Sequence, residues 1–282
     1  MSTTQLNRLD EEEDDLDLSP FFTGPHPTAL YVTPTMKAAM HKIRYTVKNR
    51  QGLTCLLGDV GMGKSSLLRL LYAELTANQR NLVMFEPRPT LKSDFAFLSN
   101  ICAGLGVKSR RNFNAQEQEL ASFLVEKTSE RRNVIVMLDE AQQLKAPHLE
   151  LIRTLMNYET NEIKLVQIVL CGQIELKDRL TTKEMRALNS RVFAYSVLQP
   201  LTLEETRAMI EHRCNYFEVQ VNLSDGALKR VYDITGGVPR HILKLCALAY
   251  SFSQMAGIDV INSDTIDEVA PDVQLSQEDD DA

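Results

Sequence analysis

This chain is short of the patterns that would anchor, export or staple a protein. Its longest apolar stretches, such as residues 134–138, fall far short of the ~18 residues that a membrane helix needs. The start, Met1-Ser2-Thr3-Thr4-Gln5, lacks the basic-then-apolar order of a secretory leader. Cys55, Cys102, Cys171, Cys214 and Cys246 are odd in number and scattered, with no C-x-x-C pair. That argues against a disulfide framework and a structural zinc site. Cys55 and Cys171 fall in apolar strand patterns and read as buried thiols in a reducing compartment. Neither an internal repeat nor an aromatic platform for single-stranded nucleic acid is present. The expectation is a soluble, cytoplasmic protein with no membrane contact.

Charge is unevenly placed. The net charge of −7 includes seven acids within residues 10–17 and four within 278–281; with those eleven set aside, the remainder carries +4. Dense like-charge runs repel and resist folding, so residues 1–19 and 272–282 are expected to be disordered acidic tails. They either solubilise the chain or compete with a polyanion for a basic surface on the body. An acidic protein of this kind is not excluded from nucleic acid.

Residues 58–65 read Gly58-Asp59-Val60-Gly61-Met62-Gly63-Lys64-Ser65, a complete G-x-x-x-x-G-K-S string. An apolar run at 53–57 enters it and a helical pattern beginning at Ser66 leaves it. Glycines let the backbone curl so that successive N–H groups face phosphate oxygens, and the adjoining helix adds its positive dipole end. Lys64 would reach the β- and γ-phosphates, and the Ser65 hydroxyl would ligate Mg²⁺. ATP with Mg²⁺ is the expected ligand.

The second half of such a site is Val134-Ile135-Val136-Met137-Leu138-Asp139-Glu140. A buried strand delivers two carboxylates at its C-terminal end, where open α/β sheets bind ligands. Asp139 would hold Mg²⁺ and Glu140 would polarise the attacking water. Alone, an Asp-Glu pair after a strand is explained as well by a helix cap; downstream of a phosphate loop it reads as catalytic.

The organisation is bipartite. Through residue 200, strands (81–86, 133–138, 163–171) alternate with helices (35–50, near 93–104, 115–131, 146–159), after a proline-rich arm from residue 19. Continuous apolar strands alternating with helices predict a parallel sheet sandwiched by helices. After Pro200 only helices are expected, opened by a capping box of Thr202 and Glu205. The division is therefore an α/β nucleotide domain at 20–200, with its arm, and a small helical lid at 201–271.

Four strings recur here in a telling order: Gly58 to Ser65, Leu138-Asp139-Glu140-Ala141-Gln142, Ile168-Val169-Leu170-Cys171-Gly172-Gln173, and Gly236-Gly237-Val238-Pro239-Arg240. In this the chain resembles AAA+ ATPases, and within them the ExeA-type secretion ATPases and the ATP-binding proteins of transposons (the TniB, TnsC and Mu B kinds). The resemblance runs from about residue 21 to 269. It implies that Gln173 is the polar sensor of the γ-phosphate or lytic water, although a Gln opening a turn has the same appearance. Arg191 matches the arginine finger that reaches a neighbour's nucleotide, with Arg186 as the alternative, and Arg240 matches the second sensor, on the lid. A finger acting in trans implies a homo-oligomer, either ring or helical filament. Secretion relatives usually carry a membrane span and a wall-binding region after the ATPase, and this chain shows neither. The resemblance therefore favours regulation of DNA transposition, with duplex DNA and a transposase as partners; a secretion or envelope ATPase is the alternative. Lys108, Arg110 and Arg111 are the candidate contacts to DNA phosphates, and a solvated surface explains them equally well.

Overall fold

The computed structural model describes residues 19–24, 26–89 and 92–278, with side chains to Val273. The acidic runs at 10–17 and 279–281 lie outside the described residues. The described residues form two compact units, one within 26–200 and the other made of 201–278 together with 19–24.

The first unit is built on five parallel strands, β1 (Leu53–Leu57), β2 (Asn81–Glu86), β3 (Asn133–Leu138), β4 (Val166–Gly172) and β5 (Val192–Val197). Their order in the sheet is β2-β3-β4-β1-β5. Every residue of β1, β3 and β4 is buried, which is why these strands read as unbroken apolar runs. β2 and β5 form the edges and are only partly buried. This is the parallel α/β sheet expected from the sequence. β5 was not anticipated, because an edge strand carrying an exposed Phe193 and a buried Ser196 has no continuous apolar signature.

Helices α1 (Pro34–Lys48), α2 (Lys64–Ala77), α3 (Asp94–Gly104), α4 (Phe113–Ser129), α5 (Ala146–Leu155), α6 (Ile174–Leu180) and α7 (Arg186–Asn189) accompany the sheet. Three begin with side-chain caps. Thr33 accepts from the Met36 amide at 3.1 Å, Ser93 from Ala96 at 3.1 Å and Asn112 from Ala115 at 2.9 Å. α5 stops at Leu155 rather than near 159, and β4 starts at Val166 rather than 163. Between them the chain turns back on itself, with Glu159 opposite Lys164 in an isolated antiparallel bridge. No helix among the described residues is long and apolar enough to cross a membrane.

The second unit holds α8 (Leu203–Tyr216), α9 (Asp225–Thr235), α10 (Pro239–Ala256) and α11 (Ser263–Glu278). The Thr202–Glu205 box forms in both directions, at 2.9 and 3.2 Å. α11 continues through Asp272, where the acidic tail was expected to begin. The arm also divides differently from its expected assignment to the α/β domain. Residues 19–24 pack with the helices: Phe21 is buried edge-on to Tyr250, and the buried Arg213 donates to the carbonyls of Pro20 (2.6 Å) and Phe22 (2.8 Å). A bond to backbone carbonyls leaves no trace in side-chain sequence, so this anchorage was not readable.

Candidate nucleotide site

The phosphate loop spans the gap between the end of β1 and the start of α2. Gly61 and Gly63 are left-handed (φ +80° and +81°), a region that costs other residues steric strain. Gly63 is the N-cap of α2 and offers no side-chain acceptor. Unlike α1, α3 and α4, this helix therefore presents its first N–H groups uncapped, as a phosphate site requires. Lys64 is buried, and its ammonium curls back to donate to the carbonyls of Gly58 (2.8 Å) and Asp59 (2.7 Å). Burial lowers the Lys64 pKa, while Cys171, Glu140, Asp139 and Asp59 oppose that shift. Ser65 and Ser66 occupy the first turn of α2. The residues fit a triphosphate with a hard cation: open backbone donors, one desolvated ammonium, a hydroxyl and a carboxylate.

The carboxylates come from the end of β3. Asp139 is buried, and its backbone N–H donates to the Glu86 carbonyl on β2 at 2.9 Å. Its carboxylate accepts from the Glu140 amide at 2.9 Å and pairs with the Cys171 thiol. Burial pushes that thiol well above its ordinary range, and the charge of Asp139 adds to the shift. Glu140 is half-buried and left-handed (φ +51°), an uncommon conformation for a residue with a Cβ. Gly172, at the end of β4, pairs in register with Leu57, so Gln173 lies one strand from the start of the phosphate loop. The sheet thus gathers residues 58–66, Asp139, Glu140 and Gln173 along its C-terminal edge.

Three residues of this edge were not singled out from sequence. Cys171 was noted only as a buried thiol. Gln142 lies two positions beyond Glu140; its amide donates to Glu140 Oε2 at 2.6 Å and accepts from the Gln173 N–H at 3.2 Å. Arg179, on α6, donates to the carbonyls of Gln142 and Leu144, both at 2.8 Å. Gln142 stood inside the Asp-Glu-Ala-Gln string, which was the one available signal for it.

The remaining candidates are dispersed. Arg191 donates to the Asn157 side chain at 2.6 Å, and its Nη1 is buried without a partner among the described residues. The side chain of Arg186, at the start of α7, is exposed. Arg240 is exposed in the first turn of α10, in the helical unit. Lys108, Arg110 and Arg111 sit on the exposed link between α3 and α4. The fully buried Gln116 shapes that link by accepting from the Arg110 amide (2.7 Å) and donating to the Lys108 carbonyl (3.1 Å). The Arg110 guanidinium is paired with Glu119 at 2.6 Å, whereas Lys108 and Arg111 form no ion pair among the described residues.

Residues 47–180 match the AAA domain family. The chain is similar to general secretion pathway protein A of Aeromonas hydrophila, 29% identical over 240 residues. The match covers 83% of this chain and 43% of the relative, so the chain spans less than half of that protein's length. Among solved structures, Cdc6p of Pyrobaculum aerophilum superposes with a TM-score of 0.64 at 18% identity, over 87% of this chain and 68% of that one. The ORC1 protein of Aeropyrum pernix, solved in complex with DNA, gives 0.61 at 16% identity, over 87% and 67%. The RuvB branch-migration motor of Thermotoga maritima gives 0.54 at 19% identity, over 84% and 67%. At these identities the structural likeness speaks for the fold.

Proposed function

We propose that the protein is a magnesium-dependent ATPase working as a homo-oligomer. The observation that carries the ATPase reading is the convergence of an uncapped α2 N-terminus, the buried Lys64 and the strand-end pair Asp139 and Glu140 on one sheet edge; the oligomer follows from the resemblance that implies a finger acting in trans. Bound Mg²⁺ would neutralise charge across the β- and γ-phosphates. Ser65 and Asp139 supply oxygens for it. Lys64 leaves the loop carbonyls for phosphate oxygens, Glu140 orients water for in-line attack, and Gln173 senses the γ-phosphate from the next strand. Arg240 couples nucleotide state to the helical unit.

The trans finger is Arg191 on resemblance, although its bond to Asn157 and its buried Nη1 describe a side chain held within its own subunit. Arg186 meets the physical requirement of exposure. Alanine at the true finger eliminates turnover of the assembly, by roughly 10³-fold or more, and leaves ATP affinity of the isolated subunit unchanged. Loss of turnover in Arg186→Ala but not Arg191→Ala moves the assignment.

For the larger task, we propose ATP-dependent assembly on duplex DNA in the regulation of transposition, with a transposase as protein partner. Lys108 and Arg111 are the phosphate contacts in this reading, and a DNA complex of a protein with the same fold supports it. A second reading, an ATPase energising a secretion complex, is favoured by the likeness to general secretion pathway protein A. Duplex-DNA binding by Glu140→Gln, with and without ATP across a salt series, decides between them. ATP-dependent binding whose log affinity falls steeply with log salt supports the first. No binding at low salt removes it.

A further inference from the structure

The Gln142 carboxamide is used at both ends. Its NH₂ meets a carboxylate, Glu140 Oε2 at 2.6 Å, and its oxygen meets an N–H, that of Gln173 at 3.2 Å. A carboxylate accepts only and a backbone N–H donates only, so the amide has one satisfactory orientation and cannot flip. The short bond to Glu140 is charge-assisted, the stronger class. Gln142 is itself held: it lies in the 3₁₀ turn Ala141–Gln143, whose exit Arg179 ties down through the carbonyls of Gln142 and Leu144. Gly172 makes room for it. A Cβ there would stand 2.8 Å from Gln142 Oε1 and 3.2 Å from the Gln142 backbone nitrogen.

We propose that Gln142 is a positioning residue that fixes the carboxylate of Glu140 and ties it to the end of β4 at Gln173. The inference rests on the reading of Glu140 as the group that orients the attacking water. Glu140 leaves β3 in a left-handed conformation that aims its side chain without a helix to support it, and the Gln142 bridge supplies the missing constraint. Since the acceptor end of the bridge is held by the Gln173 amide, movement at the sensor end of β4 is passed to Glu140 through a single side chain. Gln142 reaches no substrate atom in this scheme; it acts through Glu140.

Gln142→Met keeps the length and bulk of the side chain and removes both polar ends, and Gln142→Ala is the second variant should methionine pack poorly. Either is expected to lower kcat by ~10–100-fold with KM and ATP affinity within about twofold. Gly172→Ala should do the same by displacing the amide, and its combination with Gln142→Met should cost no more than either alone. In nucleotide-free protein, the Gln173 amide should exchange with solvent faster in Gln142→Met than in the parent, a readout independent of turnover. An unchanged kcat, or a KM that rises in step with the loss, overturns the proposal, as does full additivity with Gly172→Ala. Glu140→Gln is the control. If it is slow while Gln142→Met turns over fully, the bridge fails alone; if it turns over at the parental rate, the reading of Glu140 fails and the bridge falls with it.

Discussion

Two glycine-bearing strings stand in this molecule, and they require glycine for different reasons. In the α/β unit, Gly61 and Gly63 take left-handed conformations and leave the N–H groups of α2 uncapped. In the helical unit, Gly236 ends α9 in a left-handed cap, while Gly237 (φ +79°) bonds through its carbonyl to the Leu201 amide at 2.8 Å. A Cβ on Gly237 would lie 2.2 Å from the Leu201 carbonyl oxygen. Pro239 then starts α10 with its fixed φ, and Arg240 is the next residue. One string leaves backbone donors open, as a phosphate ligand requires, and the other turns its backbone to its own fold. A glycine motif by itself does not say which.

Substitutions separate the two uses. Glu140→Gln is expected to reduce turnover by ~10²–10⁴-fold while ATP binding persists, since it keeps the shape of the site and removes the carboxylate proposed to orient the attacking water. Turnover at the parental rate in a steady-state phosphate-release assay would break the ligand side of the comparison. Lys64→Ala should weaken ATP binding by ~10²–10³-fold, the worth of several charge-assisted bonds, without lowering the thermal midpoint, since it removes a buried ammonium. Calorimetric titration and thermal unfolding on the same sample check both halves.

Gly237→Ala should do the reverse. Its left-handed φ and its collision with backbone should destabilise the protein by about 3 kcal/mol or more, with the ATP affinity of whatever remains folded unchanged. Denaturant unfolding reads the first effect. An affinity loss matching that of Lys64→Ala would show that the second string serves the nucleotide as well.

The smallest expected effect is one of pH, and it arises in the α/β unit. His148 is buried against Phe97, and its Nδ1 accepts from the Lys145 amide at 3.3 Å. Burial lowers its pKa, and the charge of Lys145 lowers it further. A histidine whose folded pKa is depressed binds its proton more readily when unfolded. Its contribution is therefore intact above the unfolded value of about 6.5 and is lost as pH falls below it, by at most about 1.4 kcal/mol per pH unit. Unfolding measured from pH 7.5 to 5.5 should show this slope, and His148→Gln should flatten it.

Much of the candidate nucleotide site was legible because it is local. The residues proposed to cradle phosphate are consecutive, and the strand that delivers Asp139 and Glu140 is buried at every position before them. The capping box at Thr202 is likewise a three-residue rule. Misjudged features were long-range or of mixed character: the edge strand β5, the arm held by Arg213 across the sequence, and the end of α5. Gln142 falls between these cases, since its position in the string was visible but its partner at Gln173 is brought to it only when β3 and β4 lie side by side.

The sequence by itself determined the parallel sheet and the helical character of the chain beyond Pro200, and it carries the ligand class proposed here, because each is written in neighbouring residues or in a fixed period. Tertiary structure alone decided which polar atoms meet. It turned Lys64 onto its own loop, tied Arg191 to Asn157, neutralised Arg110 with Glu119 and joined Glu140 to Gln173 through one amide. Hydrogen bonds act over about 3 Å, and only the packing of the strands and helices brings residues distant in sequence within that range.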